Sequence, residues 1–165
     1  MEFVDLFDNK RNSLGKISER YSYTPGEFSQ VVHLWIRNSQ GDFLIQKRSM
    51  SKPVNPGIWS VTGGAVDSGE TPLQAAYREC KEELDVDIKP EEIQLMMTVK
   101  REKVFVDVYL VEKDINLADI KMQETEVDDV KWFSPDEIRQ MSTDNKMGTS
   151  ITIYYDSLFK LIDNL

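Results

Sequence analysis

The chain has 165 residues, with 20 Lys and Arg against 29 Asp and Glu, which gives a net charge of −9. An apolar fraction of 40% is enough for one hydrophobic core and argues against a disordered chain. The acidic balance argues against a nucleic-acid polymer as partner, because such binding needs cations to displace counterions from phosphates. Since there is one cysteine and neither a signal-peptide pattern nor an apolar run of membrane-spanning length, we expect a cytoplasmic protein with no membrane partner.

Two kinds of local signal predict the strands. β-Branched and aromatic residues form short runs, and Asn-, Asp- and Gly-rich turns separate them. These runs predict strands at 2–7, 14–19, 29–37, 43–47, 58–62, 93–100, 104–111 and 127–133. The turn at 8–12 joins the first two runs into an N-terminal hairpin, and the turn at 38–41 predicts a second hairpin.

The first helix is predicted to begin at Thr71, a good N-cap, with Pro72 at the first helical position, and to end near Asp85. Apolar spacings of three and four predict that its buried face consists of Leu73, Ala76, Tyr77, Cys80 and Leu84. Residues 134–137 have capping chemistry for a second helix, and 151–162 have an amphipathic pattern for a final one. Strands on both sides of a helix indicate an α/β fold, in one mixed sandwich.

Charged residues on the first helix predict a metal site. The preceding segment, 63–70, is glycine-rich, and we expect a flexible loop whose backbone can approach a ligand. Glu79, Glu82 and Glu83 are spaced by three and four residues, which places three carboxylates on one side of the helix. Their repulsion costs roughly a few tenths of a kcal/mol per pair unless cations lie between them, and Mg²⁺ prefers such oxygen ligands.

Gly64 to Val86 resembles the Nudix box, the signature of the Nudix hydrolase family. Gly64 is followed by five residues, Glu70, seven residues and the run Arg-Glu-Cys-Lys-Glu-Glu, so every charged position of the pattern is matched. Cys80 stands where an aliphatic residue is commoner, and it can replace one as a small apolar group. Asp85 stands where the family usually has glycine in a left-handed conformation, which Asp tolerates better than most residues.

The resemblance extends over residues 29–141 and implies an α/β/α sandwich around a mixed β-sheet, with a box that binds Mg²⁺ or Mn²⁺. The metal ligands it implies are Gly64, through its carbonyl, and Glu79, Glu82 and Glu83. It also implies that Arg78 orients a glutamate through charge-assisted hydrogen bonds and that Glu70 supports the loop.

The implied reaction is attack of water on a small-molecule diphosphate, with the metal neutralising oxygens and lowering the pKa of the water. The implied activity is that of a pyrophosphohydrolase cleaving a nucleoside diphosphate linked to another moiety, or a related diphosphate. The general base is either a box glutamate or Glu126, which is alternatively a surface acid. Substrate contacts are expected from Gly63, Gly64, Arg48 and His33, and His33 is alternatively a core residue.

Three other interpretations stay open. The charged run is typical of a solvated helix face, with Arg78 and Glu82 as an ion pair. The N-terminal hairpin, residues 33–38 and residues 46–49 through 56–59 resemble the branch that includes isopentenyl diphosphate isomerases. Against an isomerase, Gly63 and Gly64 lie where those enzymes place a catalytic cysteine, Val104 lies near the position of their later glutamate, and the chain has one histidine. A nucleotide-sensing module without catalysis is the third, and the intact carboxylates argue against it.

We expect one Nudix domain over 1–165. It would consist of a hairpin extension, a core and a C-terminal helix, at 1–28, 29–141 and 142–165. The loops at 49–56 and 112–126 and the final helix are expected to recognise the part of the substrate beyond the diphosphate. A homodimer is compatible with the sequence, which does not specify an oligomeric state.

Overall fold

The computed structural model describes residues 2–165, so Met1, where the predicted hairpin extension starts, lies outside the described residues. The strands are β1 (Phe3–Phe7), β2 (Ser13–Glu19), β3 (Ser29–Arg37), β4 (Phe43–Arg48), β5 (Trp59–Ser60), β6 (Thr62–Ala65), β7 (Ile93–Lys100), β8 (Val104–Glu112) and β9 (Val127–Phe133). The α-helices are α1 (Pro72–Leu84), α2 (Pro135–Thr143), α3 (Thr149–Thr152) and α4 (Tyr155–Asp163). None of the described helices combines the length and the apolar character needed to span a membrane.

The main sheet has seven strands in the order β5-β4-β3-β8-β7, with β6 also paired to β3 and β9 also paired to β4. Strands β3 and β8 run parallel, and the other pairs are antiparallel. The sheet is therefore mixed. β1 and β2 form a separate antiparallel hairpin, as the turn at 8–12 predicts.

Helices cover both faces of the sheet. On one face, Ala76, Cys80 and Leu84 of α1 belong to the same buried cluster as Leu34 and Ile36 of β3. On the other face, a second cluster joins β3 and β4 to α2 and α4 through Trp35, Phe43, Ile138, Leu158 and Phe159. Successive β3 residues therefore point into opposite layers, which is why almost the whole strand is apolar. The predicted α/β/α sandwich is confirmed.

The prediction of one continuous strand at 58–62 is wrong. Residues 59–60 pair with β4, whereas 62–65 pair with β3, so the chain changes partner at Val61. Gly63 and Gly64 consequently lie in β6 and not in a flexible loop, which is a second correction. Gly63 has φ +156°, and an added Cβ there would lie 2.1 Å from the Val32 carbonyl oxygen, so close backbone approach requires a glycine.

Two helix predictions are also corrected. Leu73 is 40% exposed and Tyr77 is half-buried, while Ala75 is fully buried in their place. The final helix is not continuous, because the chain breaks between α3 and α4 and Tyr154 turns toward the sheet. The left-handed conformation expected at Asp85, the last position but one of the box, is confirmed, since Asp85 caps α1 with φ 56°.

The N-terminal hairpin docks beside the box. Asp5 accepts hydrogen bonds from the Ser68 hydroxyl at 2.7 Å and from the Gly69 N–H at 3.0 Å. Arg11, in the hairpin turn, donates through both terminal nitrogens to the buried carboxylate of Asp107 on β8. These contacts fix the hairpin against both the sheet and the segment that leads into α1.

Candidate active site

A two-part cleft opens where β5 and β6 pass from β4 to β3. The larger part, about 880 Å³, lies over α1, and the smaller part, about 310 Å³, extends toward β3 and β8. Both parts are lined by the two β6 glycines, two carboxylates, two arginines and two further side chains. These shared residues are Gly63, Gly64, Glu83, Glu126, Arg20, Arg48, Tyr21 and Val54.

The three box glutamates line the larger part of the cleft but are exposed to different degrees. The Glu79 side chain is 13% exposed, the Glu82 side chain is 52% exposed, and Glu83 is 7% exposed. Glu83 accepts hydrogen bonds from Gln46 Nε2 at 2.9 Å and from the Gly63 N–H at 3.3 Å. No basic side chain in the described part of the chain pairs with Glu83.

Arg78 ties the start of the box to its helix. Its Nε and one terminal nitrogen donate to the two carboxylate oxygens of Glu70 at 2.8 and 2.9 Å, and that nitrogen also donates to the Ala65 carbonyl. The other terminal nitrogen donates to Glu79 at 2.8 Å and to Glu82 at 3.3 Å. The planar guanidinium has the donors for all these contacts, which the single ammonium of lysine cannot reproduce.

Gly64 lies directly beneath the Glu79 carboxylate. An added Cβ would stand 2.2 Å from Glu79 Oε1, so any side chain at this position would displace that carboxylate. The group that approaches Gly64 is thus a glutamate of the same chain, and backbone approach to a ligand stays a prediction.

Burial governs the electrostatics of these acids. It raises the pKa of Glu83 to about 8, helped by the charge of Glu79 and opposed by the Gln46 hydrogen bond. Burial also raises the pKa of Glu79 to about 6, against the attraction of Arg78. Two neighbouring carboxylates therefore lie in a site with too little positive charge of its own.

The three glutamates share a cleft, but the expected convergence is met only in part. Across residues 2–165, no three His, Cys, Asp or Glu side chains are already grouped closely enough to hold a metal ion. Glu79 and Glu82 face Arg78, whereas Glu83 faces Gln46. The donor set nevertheless fits a hard divalent cation, because it offers three carboxylates as oxygen ligands, and a bound cation would favour the ionised form of the two buried ones.

Cations lie on the other walls of the cleft. Arg48 and Arg101 line the smaller part, and Lys52 lines the larger part. Lys52 donates to Glu126 at 2.6 Å, so this acid is ion-paired at the cleft wall. The Arg48 Nε donates to the Val54 carbonyl at 2.7 Å, which fixes its stem and leaves its two terminal nitrogens free of hydrogen bonds to described residues.

His33 is buried between the cleft and the core. Tyr154 Oη lies 2.8 Å from His33 Nδ1 and accepts a hydrogen bond from Trp35 Nε1 at 2.9 Å. Because Tyr154 Oη already accepts from Trp35, its own hydrogen is free to be donated to His33 Nδ1, which satisfies Trp35, Tyr154 and His33 together. Nδ1 is then an acceptor, so the ring proton of neutral His33 is on Nε2. Burial, followed by the charge of Arg101, lowers the pKa of His33 to about 4, so its ring is neutral.

Sequence reasoning missed four cleft residues, which are Gln46, Arg101, Arg20 and Tyr21. Gln46 receives a hydrogen bond from Thr62 and donates to Glu83, and its signal was a polar residue directly after the apolar run 43–45 of β4. Arg20 and Tyr21 also line the cleft, and no local pattern marks them, because their position depends on how the hairpin docks.

A family model described as the NUDIX domain matches residues 27–151. An uncharacterized Nudix hydrolase of Listeria monocytogenes is 34% identical over 143 residues, which are 86% of this chain and 85% of that protein. The chain therefore belongs to the Nudix hydrolase family, whose members act on small-molecule diphosphates and generally use a divalent metal.

Two further relatives define how far the similarity reaches. A crystal structure of a Deinococcus radiodurans protein has a TM-score of 0.76 and 26% identity, covering 89% of this chain and 92% of that one. An isopentenyl-diphosphate Delta-isomerase of Klebsiella pneumoniae is 35% identical over 92 residues, which are 53% of this chain and 48% of the isomerase. The resemblance to isomerases is thus confined to about half of each protein.

Proposed function

We propose that this chain is a divalent-metal-dependent pyrophosphohydrolase that cleaves a nucleoside diphosphate linked to another moiety, or a related diphosphate. The observation that carries the proposal is the distribution of charge in the cleft. Glu79, Glu82 and Glu83 occupy one wall, while Arg48 and Arg101 occupy another, in a protein whose net charge is −9. Carboxylates suit the metal, and the arginines suit the phosphates that the metal does not reach.

Glu79, Glu82, Glu83 and the Gly64 carbonyl would hold Mg²⁺ (or Mn²⁺). When bound, the metal would neutralise phosphate oxygens and lower the pKa of the attacking water. Arg78 is a positioning residue in this scheme, because its hydrogen bond holds Glu79 over Gly64. Glu70 keeps Arg78 in place and so supports the segment between β6 and α1.

Glu126 is our candidate for the general base. Glu83 and Glu126 are the two carboxylates that line both parts of the cleft, and Glu83 is already committed to Gln46 and Gly63. Lys52 would hold the Glu126 side chain at the cleft wall. A box glutamate is the alternative base, and the two assignments differ in whether Glu126→Gln abolishes turnover.

The remaining expected contacts are on the substrate side. Arg48 would bind phosphate oxygens, and His33 Nε2–H would donate to an acceptor on the substrate. The Gly63 and Gly64 backbone would line the diphosphate position between them. We place the enzyme in the cytoplasm, with a small molecule as its substrate, on the strength of its single buried cysteine and its acidic charge.

Isomerisation is the rival reaction. The relatives that carry this name match about half of the chain. Gly63 occupies the region where the sequence resemblance would require a cysteine. Cys80 is on the buried face of α1, packed against the sheet, and burial raises the pKa of its thiol. The chain therefore lacks an accessible thiol at the cleft, and we favour hydrolysis.

A turnover screen tests the proposal. Nucleoside diphosphate sugars, dinucleotides, nucleoside triphosphates and prenyl diphosphates are incubated with Mg²⁺ or Mn²⁺, and phosphorylated products are separated by chromatography. Glu82→Gln and Glu83→Gln serve as site variants, and Glu91→Gln is the matched control because Glu91 is exposed and outside the cleft.

Cleavage of at least one diphosphate that is lost in both site variants and kept in the control is the expected result. Rearrangement of isopentenyl diphosphate without hydrolysis would instead establish the isomerase. Tight ligand binding with no turnover of any compound would establish the sensing module.

A further inference from the structure

The turn that ends the N-terminal hairpin reaches into the cleft. Arg20 and Tyr21 line both of its parts, although they lie outside residues 27–151 that match the family model. The anchoring of Asp5 and Arg11 holds the hairpin in this position. The cleft is therefore completed by a segment that the family's core does not contain.

The backbone at Tyr21 is unusual for a bulky residue. The Ser22 N–H donates to the Glu19 carbonyl at 3.0 Å, which closes a four-residue turn with Tyr21 in its third position. Tyr21 has φ 71°, in the left-handed region where such turns normally place Gly or Asn. Backbone strain of this kind clusters at functional sites, and Tyr21 lies at the cleft.

The Tyr21 side chain has a free face. Tyr21 is 66% exposed, and the Arg20 guanidinium covers one face of the ring at 4.7 Å from its centroid. Arg20 is held by Glu2 at 2.6 Å and lines the same cavity as Glu79 and Glu82. The exposed Tyr21 ring can stack on a planar ring. Arg20, across the same cavity as the carboxylates, can contact phosphates attached to that ring.

We propose that the hairpin turn is a substrate-recognition element, in which Tyr21 stacks on the planar ring of a nucleobase and Arg20 contacts the phosphates. This rests on the proposed function and narrows it, because it favours nucleotide diphosphates over prenyl diphosphates. A prenyl chain has no flat ring for Tyr21 to stack on.

Binding measured by calorimetry, separately from turnover, tests the inference. With Mg²⁺ present, the probes are α,β-methylene-ADP, which carries a base, and methylenediphosphonate, which does not. The variants are Tyr21→Gly, which removes the ring and suits the left-handed backbone, and Tyr21→Phe, which restores the ring. Ile17→Ala is the matched control, because Ile17 is 64% exposed on the same hairpin and does not line the cleft.

We expect Tyr21→Gly to lower the affinity for the ADP analogue about tenfold and to leave the affinity for methylenediphosphonate unchanged. Tyr21→Phe and Ile17→Ala should bind both probes as the wild type does, and the melting temperature of Tyr21→Gly should not fall. Arg20→Gln should lower the affinity for both probes, because Arg20 is proposed to contact the phosphates. Equal affinity of wild type and Tyr21→Gly for the ADP analogue, or an equal loss for both probes, would overturn the inference.

The same data separate this inference from the proposed function. A wild-type protein that binds the ADP analogue in a Tyr21-dependent way but hydrolyses no diphosphate would refute the hydrolase and support the recognition element. A wild-type protein that hydrolyses a diphosphate but does not bind the ADP analogue would refute the recognition element alone.

Discussion

Glu83 is the residue with the most unfavourable surroundings in the cleft. It is 7% exposed, and within residues 2–165 it has hydrogen bonds to Gln46 and Gly63 but no ion pair. A buried carboxylate without a cation destabilises the fold. Its presence at the deepest point of the carboxylate wall is therefore better explained by binding than by stability.

Glu83→Gln should separate activity from stability. We expect the melting temperature to stay equal or rise, because burial raises the pKa of Glu83 to about 8, so at neutral pH this carboxyl must take up a proton on folding and a neutral amide need not. Turnover should fall at least about 100-fold through loss of a proposed metal ligand. Differential scanning calorimetry and the turnover assay measure the two effects, with exposed Glu91→Gln as the control. Unchanged turnover would remove Glu83 from the site.

Substitutions of the two β6 glycines should have different effects on stability and turnover. Gly63→Ala places a Cβ 2.1 Å from the Val32 carbonyl oxygen, so we expect a stability loss of about 3 kcal/mol in urea unfolding. Gly64→Ala places its Cβ against the Glu79 side chain, which can move, so we expect a smaller stability loss and a larger loss of turnover. Equal effects of the two substitutions on both quantities would contradict this assignment.

At the scale of the elements, helix starts were the most predictable feature. Thr71 and Ser134 are N-caps as expected, and each forms a capping box, because capping depends on residues only three positions apart. The break at Val61 and the break after α3 were not predictable. Both depend on distant partners, β3 in the first case and the bond of Tyr154 to His33 in the second.

The site shows the same division. The spacing on α1 was enough to place Glu79, Glu82 and Glu83 beside one cleft, since a helix fixes the geometry of its own residues. It was not enough to orient their carboxylates, which depends on Arg78 and Gln46. Arg20 and Tyr21 enter the cleft only because the hairpin docks through other residues.

The hairpin is held by a largely buried ion pair, which gives an element-scale prediction. Asp107 is 3% exposed and accepts hydrogen bonds from Arg11 and Thr98. Arg11→Met should leave its buried charge without an ion-pair partner and lower the free energy of unfolding by about 3 kcal/mol. Lys16→Met, which breaks the ion pair between the exposed Lys16 of β2 and Glu27, should lower the free energy of unfolding by less than Arg11→Met does.

Urea unfolding measures both costs, and the double variant Arg11→Met with Asp107→Leu should regain part of the loss. If Arg11→Met costs no more than Lys16→Met, the hairpin is not anchored by this pair. Hydrogen exchange in β1 and β2 should also become faster in Arg11→Met than in Lys16→Met.

At the scale of the whole molecule, stability should depend on His33 in mild acid. Its pKa falls from 6.5 to about 4 on folding, mainly through burial. Above pH 6.5 the ring is neutral in both states, so His33 has no effect on the pH dependence. Between pH 6.5 and 4 the unfolded chain binds a proton that the folded protein does not, so stability should fall by up to about 3 kcal/mol.

His33→Gln should remove this part of the pH dependence while keeping a side chain able to hydrogen-bond to Tyr154. Urea unfolding of the wild type and of His33→Gln at several pH values gives the difference between their free energies of unfolding. The contributions of the other titrating groups cancel in this difference. Parallel stability curves for the two proteins between pH 6.5 and 4 would show that His33 is not held neutral by the fold.

The whole protein is acidic, yet its cleft combines a carboxylate wall with arginines and a lysine. This arrangement suits an anion only when a cation neutralises the carboxylates, so metal and substrate should depend on each other. The anion should bind weakly to metal-free protein and tightly once divalent cation is present.

The most direct measurement is the rate of diphosphate cleavage by protein stripped of metal with a chelator and then titrated with Mg²⁺. We predict no turnover before the titration, a rate that saturates as Mg²⁺ is added, and no saturable rise in Glu83→Gln. Full turnover in the presence of excess chelator, or a wild-type titration curve in Glu83→Gln, would contradict the account.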